Sequence, residues 1–172
     1  MKIKLPLITL LGLVAGSAAL AASADKAASA VQVTFAAPEK FTDVKDDYMD
    51  TAQGRDALLD ELKQHITTRA ANYLTAGQRL EITVTDVDLA GDFEPWRGTH
   101  FQDVRIVKDL YPPRVSLQFR LLNADGTVLS EGKRQLQELG YLMTIAMPTG
   151  DPLRYDKEML NDWLRQEFKH ST

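Results

Sequence analysis

The 172-residue sequence contains no cysteine. This absence excludes disulfide bonds, a thiolate nucleophile and any metal site built on cysteine ligands. It also excludes the attachment of a lipid to a cysteine after the N-terminal apolar stretch. A fold built from this chain must therefore be stabilised by its own core. Residues 25–172 are numerous enough for one core, because chains of this size bury roughly 68–70% of their unfolded surface.

Sequence motifs typical of enzymes are missing as well. The chain has no Gly-x-Ser-x-Gly, no glycine-rich phosphate loop and no pair of histidines at helical spacing. No spacing matches a calcium loop, since Asp86, Asp88 and Asp92 are followed by no glutamate at the twelfth position. The sequence therefore predicts no catalytic residue, no metal ligand and no cofactor.

The chain also lacks a strong excess of either charge. The formal net charge is −4, and it would become −6 if Lys2 and Lys4 were removed with an N-terminal leader. Acidic and basic residues are interspersed, as on an ordinary solvated surface. Nucleic acid and anionic lipid are therefore poor candidates for the partner.

The first 24 residues have the three parts of a secretory signal peptide. Lys2 and Lys4 precede an apolar stretch over residues 5–14, and small residues with two Ala-x-Ala sites end at Ala21 and Ala24. We expect cleavage at one of these sites and release into the periplasm. The alternative is a retained N-terminal anchor, but the stretch is short for a membrane span and no second one follows, so no integral membrane segment is expected after cleavage.

Residues 25–30 are small or polar and are expected to form a flexible lead-in, and residues 31–170 to form a single α+β domain. Alternating apolar residues predict strands at 31–35, 80–84 and 115–121. A partner strand is expected at 127–136 after the turn at Gly126, and a further strand at 104–110, closed by Pro112 and Pro113. Spacings of three and four predict helices at about 51–74 and 156–168. The expected architecture is an antiparallel or mixed sheet of about five strands with two helices packed on one face.

Local features add detail to this prediction. Asp50 or Thr51 is expected to cap the first helix, and Asp156 the second. The apolar residues of the second strand change face near Asp86, which indicates a bulge, a strand end or burial on both sides. A turn ending at Gly126 is expected to join the last two strands. The predicted core comprises Val33, Leu59, Leu62, Ile66, Ile82, Val84, Leu117, Phe119, Leu160 and Trp163.

Three stretches together resemble a known bacterial family. They are Thr-Val-Thr-Asp-Val-Asp-Leu-Ala-Gly at 83–91, Asp-Val-Arg-Ile-Val-Lys-Asp-Leu-Tyr-Pro-Pro-Arg at 103–114, and Asp-Pro-Leu-Arg-Tyr-Asp-Lys at 151–157, followed by Trp163. They resemble domain of unknown function 3016, over a span from Val31 to Phe168. The resemblance implies an exported protein and carries no activity or mechanism.

The segment from Asp86 to Arg114 is the part of the chain that folding explains least. Aromatic and arginine side chains are common anchors of binding surfaces, and this segment concentrates them in a glycine-flanked loop. We therefore predict a non-enzymatic accessory or binding protein that recognises another protein or an envelope component; its oligomeric state is left open. The candidate binding residues are Asp86, Asp88, Trp96, Arg97, His100, Asp103, Arg105 and Arg114.

The alternative is a hydrolase or a metal-dependent protein that uses the acidic residues between Asp86 and Asp109. Paired carboxylates can act as general acid and base, and a histidine beside them would suit a transition metal. A tight cluster of Asp86, His100 and Asp103 in a pocket would favour this alternative, whereas an open aromatic and arginine surface would favour binding. Met143 and Met147 form a further apolar patch, for which core filling is the favoured interpretation.

Overall fold

The computed structural model of the protein describes residues 30–98, 100, 102–143 and 150–169. The predicted signal peptide and nearly all of the lead-in lie outside these residues. The helices are α1 (Ala52–Ala70) and α2 (Arg154–Phe168), with 3-10 turns at Pro38–Lys40, Ala71–Tyr73, Pro95–Arg97 and Tyr141–Met143. The strands are β1 (Val31–Phe35), β2 (Arg79–Asp88), β3 (Asp92–Phe93), β4 (Arg105–Ile106), β5 (Arg114–Leu122) and β6 (Val128–Gln137).

Four of the strands form a mixed sheet in the order β1-β2-β5-β6. β1 lies parallel to β2, while β2, β5 and β6 are antiparallel neighbours. β3 and β4 form a separate two-stranded ribbon. The α+β class with a mixed sheet is thus confirmed, whereas the packing of both helices on one face stays a prediction.

Alternate residues of the strands supply the hydrophobic core. Leu80, Ile82 and Val84 of β2 are buried, and they lie opposite buried residues of β5 in the register Leu80–Leu121, Ile82–Phe119 and Val84–Leu117. The apolar residues of both helices join the same cluster. All ten residues of the predicted core are at most 5% exposed, so that prediction is confirmed.

Two local predictions are also confirmed. Thr51 caps α1, because its side chain accepts a hydrogen bond from the Gly54 N–H at 3.0 Å. A tight turn joins β5 to β6, in which the Gly126 N–H donates to the Asn123 carbonyl and Gly126 has a φ of +86°. Such a φ favours glycine, which explains why the sequence pattern identified the hairpin.

The strand predicted at 104–110 is wrong, since only Arg105 and Ile106 are in a strand. The side chains of Arg105 and Lys108 both bind inward acidic partners, Asp43 and Glu94. Inward residues three positions apart do not fit the period of two that a strand requires. The polar contacts of Arg105 and Lys108 are therefore not those of a strand over 104–110.

The cap predicted for the second helix is also wrong. α2 begins at Arg154, and Asp156 lies inside its first turn, fully buried. Its Oδ1 accepts a hydrogen bond from the backbone N–H of Ala90 at 3.1 Å, on the chain after β2. This carboxyl therefore ties the start of α2 to the loop that leads into β3.

The face change within β2 is a bulge. The register against β5 shifts between Val84 and Asp86, so that Val84 and Val87 are both buried. The bulge places Asp86 and Asp88 at half-buried positions, at the end of a strand whose residues Leu80, Ile82 and Val84 lie in the core.

Among the described residues, no helix is long and apolar enough to cross a membrane.

Candidate functional site

Asp86 fixes the segment from β2 to β5 to the loop that precedes α1. The two carboxylate oxygens of Asp86 accept hydrogen bonds from the backbone N–H and the hydroxyl of Thr42, both at 2.8 Å. Next to this contact, the Asp43 N–H donates to the Val87 carbonyl at 3.0 Å. Asp86 therefore holds the loop before α1 against the end of β2.

Arg105 holds the same loop from the other side. Its guanidinium binds both carboxylate oxygens of the buried Asp43, with the shorter contact at 2.8 Å. It also donates to the backbone carbonyls of Gly91 and Lys45 and lies 4.8 Å from the centre of the Phe93 ring. The contacts of Arg105 are thus internal, and they assign it a structural task; its role in binding stays a prediction.

Asp88 and Arg114 face a groove of about 260 Å³ beside these contacts. Their side chains form an ion pair with an N–O distance of 3.2 Å. Burial raises the pKa of Asp88, and the nearby charges of Asp43 and Asp86 act in the same direction, while Arg114 opposes them. Leu110 and Tyr111 also line the groove.

Glu94 is the buried centre of a second polar cluster, and it was not among the predicted site residues. Its carboxylate binds the side chains of Arg97, Lys108 and Tyr111, the last at 3.0 Å, and we call these four residues the Glu94 cluster. The Lys108 ammonium above all, with Tyr111 and Arg97, holds the pKa of Glu94 below its usual range. The cluster therefore fixes the turn at 95–97 to the segment at 108–111.

The Glu94 cluster supports exposed apolar side chains. Trp96 lies on the turn that the cluster holds, yet it is 71% exposed, and Leu110, next to Tyr111, is 70% exposed. Val104 and Val107 in the same segment are also exposed. Exposed large apolar side chains on a fixed segment are typical of interaction surfaces.

His100 and Asp103 are exposed and do not join Asp86, which binds Thr42 instead. Neither of them lines the groove beside Asp88 and Arg114. Across the part of the chain that the structure describes, no group of three or more histidine, aspartate or glutamate side chains is placed to hold a metal ion. The acidic cluster that would favour the hydrolase or metal alternative is therefore not found in these residues.

Asp156 is a fully buried carboxyl. Burial raises its pKa to about 7, and the charge of Asp88 adds to this, whereas the Ala90 N–H and the positive charge of Arg105 oppose it. Its Oδ2 is buried and has no hydrogen-bond partner. Predicting a helix cap at this position correctly identified a local helix start but not the contact with Ala90.

The 3-10 turn at 141–143 contacts the segment that carries Lys108. Tyr141 is buried, donates from its hydroxyl to the Lys108 carbonyl, and packs edge-on against Tyr155 of α2. Met143 is 89% exposed, so the interpretation that it fills the core is wrong. Met147 and the rest of that apolar patch lie outside the described residues.

The chain is similar to a known protein family. Residues 29–166 match the sequence model of a family described as a protein of unknown function, DUF3016. No curated protein and no solved structure matches the chain.

Proposed function

The chain belongs to the DUF3016 family, and from that premise we propose that it is a non-enzymatic periplasmic binding protein that recognises another protein of the cell envelope. The observation that carries this proposal is the exposed Trp96 on a turn held by the buried Glu94. We call the surface formed by Trp96, Arg97, Val104, Val107 and Leu110 the Trp96 surface.

The Trp96 surface is organised before any partner arrives. The turn at 95–97 is closed by hydrogen bonds from the Arg97 and Gly98 N–H groups, and the Arg97 side chain binds Glu94. A turn held in this way loses little backbone freedom on binding, which favours affinity. Tryptophan and arginine are also the residue types that most often dominate interface energies.

The composition of the Trp96 surface favours a protein over a sugar as the partner. Sugar recognition requires polar side chains around a stacking ring, since each hydroxyl needs a hydrogen-bond partner. Three exposed residues that share the segment with Trp96, namely Val104, Val107 and Leu110, are aliphatic and offer no such partner, although they lie beside the exposed polar residues His100, Gln102, Asp103 and Asp109. A protein partner with an apolar pocket fits this surface, with Arg97 at its border.

Removing Trp96 and Arg97 together, as alanines, is expected to weaken capture of the periplasmic partner by at least tenfold while leaving the fold intact. Trp96 is exposed, so its loss opens no cavity in the core, and the loss of Arg97 leaves Glu94 bound to Lys108 and Tyr111. The measurement is affinity for the partner isolated with the mature domain, together with the melting temperature of each variant.

Met143→Ala is the matched control, because Met143 is a comparably exposed apolar side chain outside the Trp96 surface. Its affinity should equal that of the natural protein. Undiminished capture by the double variant, or a loss confined to Met143→Ala, would place the interface elsewhere and contradict the proposal.

Export to the periplasm has its own test. The three-part leader at 1–24 is expected to be removed, so that the mature chain begins at Ala22 or Asp25 and is recovered in the periplasmic fraction. N-terminal sequencing of the fractionated protein measures this directly. A chain that keeps Met1 and sediments with membranes would contradict it.

A further inference from the structure

The outer edge of β6 is open. β6 is the last strand in the sheet order, and within the described residues no strand pairs with its far side. All ten residues of β6 are exposed or half-buried, in contrast to the buried core positions of β2 and β5. An unpaired edge of this length presents a row of backbone N–H and C=O groups that can pair with another strand. One carbonyl of β6, that of Lys133, accepts a hydrogen bond from Arg134 Nη1 at 2.9 Å, which a second strand would have to displace wherever it needs that carbonyl.

Charges alternate across the sheet towards this edge. Arg120 of β5 lies between Glu81 of β2 and Glu131 of β6, with N–O distances of 3.4 and 3.6 Å. These three residues are direct cross-strand neighbours. In the neighbouring row, Gln118 of β5 lies opposite Lys133 of β6, so the edge ends in one acidic and one basic side chain on the same face.

We propose that β6 pairs with β6 of a second copy, antiparallel and centred on Gly132, so that two four-stranded sheets become one sheet of eight strands. A two-fold axis perpendicular to the sheet passes through this centre, and two-fold symmetry is the commonest symmetry of homo-oligomers. It places Glu131 of each copy opposite Lys133 of the other and Ser130 opposite Arg134. The row of alternating charge then continues from Glu81, Arg120 and Glu131 onto the second copy.

The charges of β6 favour this register over its neighbours. A two-fold axis keeps every side chain on its own face of the sheet, so the strands can shift only in steps that preserve the face. Centring on Glu131, Lys133 or Arg134 would place a charged residue opposite its own copy, and like charges directly opposite each other are destabilising. Centring on Gly132 is the register among these four that pairs opposite charges and no like ones.

The test is the oligomeric state of charge-reversed variants of the mature protein, measured by sedimentation equilibrium. Glu131→Lys gives two lysine pairs across the axis, and Lys133→Glu gives two glutamate pairs. Each is expected to weaken dimerisation by about tenfold, since each turns two attractive cross-strand pairs into repulsive ones. An equimolar mixture of the two variants should form a heterodimer, because every pair is again of opposite charge.

Glu81→Lys is the matched control. It removes the same interaction with Arg120 and changes the net charge equally, but it lies on a central strand away from the edge. It should dimerise like the natural protein. A natural protein that stays monomeric, single variants that dimerise normally, a mixture that fails to associate, or an equal loss in Glu81→Lys would each overturn the proposal.

Discussion

At pH 8, Asp156→Asn is expected to raise the free energy of unfolding by up to about 4 kcal/mol relative to the natural protein. The pKa of the Asp156 carboxyl is raised to about 7 by burial, and one pKa unit corresponds to about 1.4 kcal/mol. An asparagine keeps an oxygen that can accept from the Ala90 N–H, but it carries no charge to bury.

The pH dependence of this effect has a definite sign. Below about pH 4 the carboxyl is protonated in both the folded and the unfolded chain, so the burial of charge costs nothing. Between about pH 4 and pH 7 the folded state holds its proton while the unfolded state loses it, so stability falls as the pH rises. Above pH 7 the full cost remains. The gain in Asp156→Asn should therefore be near zero at pH 4 and maximal at pH 8.

Denaturant unfolding of the variant and the natural protein across this pH range provides the measurement. Asp162→Asn on the same helix serves as the control, because Asp162 lies at the surface beside Arg165. A difference between Asp156→Asn and the natural protein that does not change with pH, or a variant that is less stable at pH 8, would show that Asp156 is not a buried carboxyl of this kind.

Phe119→Ala is expected to lower the free energy of unfolding by about 3–5 kcal/mol, the usual cost of removing a large aromatic side chain from a core. Phe119 is 2% exposed and contacts the rings of Trp163 and Phe168 of α2 edge-on, at centroid distances of 6.0 and 5.4 Å. The Arg134 guanidinium covers its ring at 5.1 Å. The substitution therefore removes the contact that joins β5 to the C-terminal helix.

Gln118→Ala, one residue away on the exposed side of β5, is the control and should change stability by less than about 0.5 kcal/mol. Chemical denaturation at one pH measures both variants. A cost below about 1 kcal/mol for Phe119→Ala would show that the buried face of the hairpin was assigned incorrectly.

The core was predictable from the sequence because apolar periodicity reports burial directly. Leu59, Leu62 and Ile66 follow the spacing of a helix, and Leu117 and Phe119 follow that of a strand. The segment at 104–110 is also rich in apolar residues, but there Arg105 and Lys108 bind Asp43 and Glu94. Apolar periodicity carries no information about such long-range polar pairs.

The sequence indicated the segment that carries the candidate site, but not the contacts that its side chains make. The exposure of Trp96 agrees with the predicted aromatic surface, whereas Asp86 and Arg105 bind internal partners. Glu94 was missed because its partners are far apart in sequence; its one local indication is the spacing of three to Arg97. Asp156 was predicted as a helix cap from its place near a helix start. Its contact with Ala90 could not be predicted in this way, because the two residues are 66 positions apart.

Photo-crosslinking at position 96 in living cells tests the binding proposal most directly. A photoreactive phenylalanine analogue replaces Trp96 in one variant, and Gln118 on the exposed side of β5 in a control. The account predicts a covalent adduct with a specific envelope protein from position 96, lost when Arg97 and Leu110 are changed to alanine, and no such adduct from position 118. Equal adducts from both positions, or none from position 96 in a protein that is folded and exported, would contradict it.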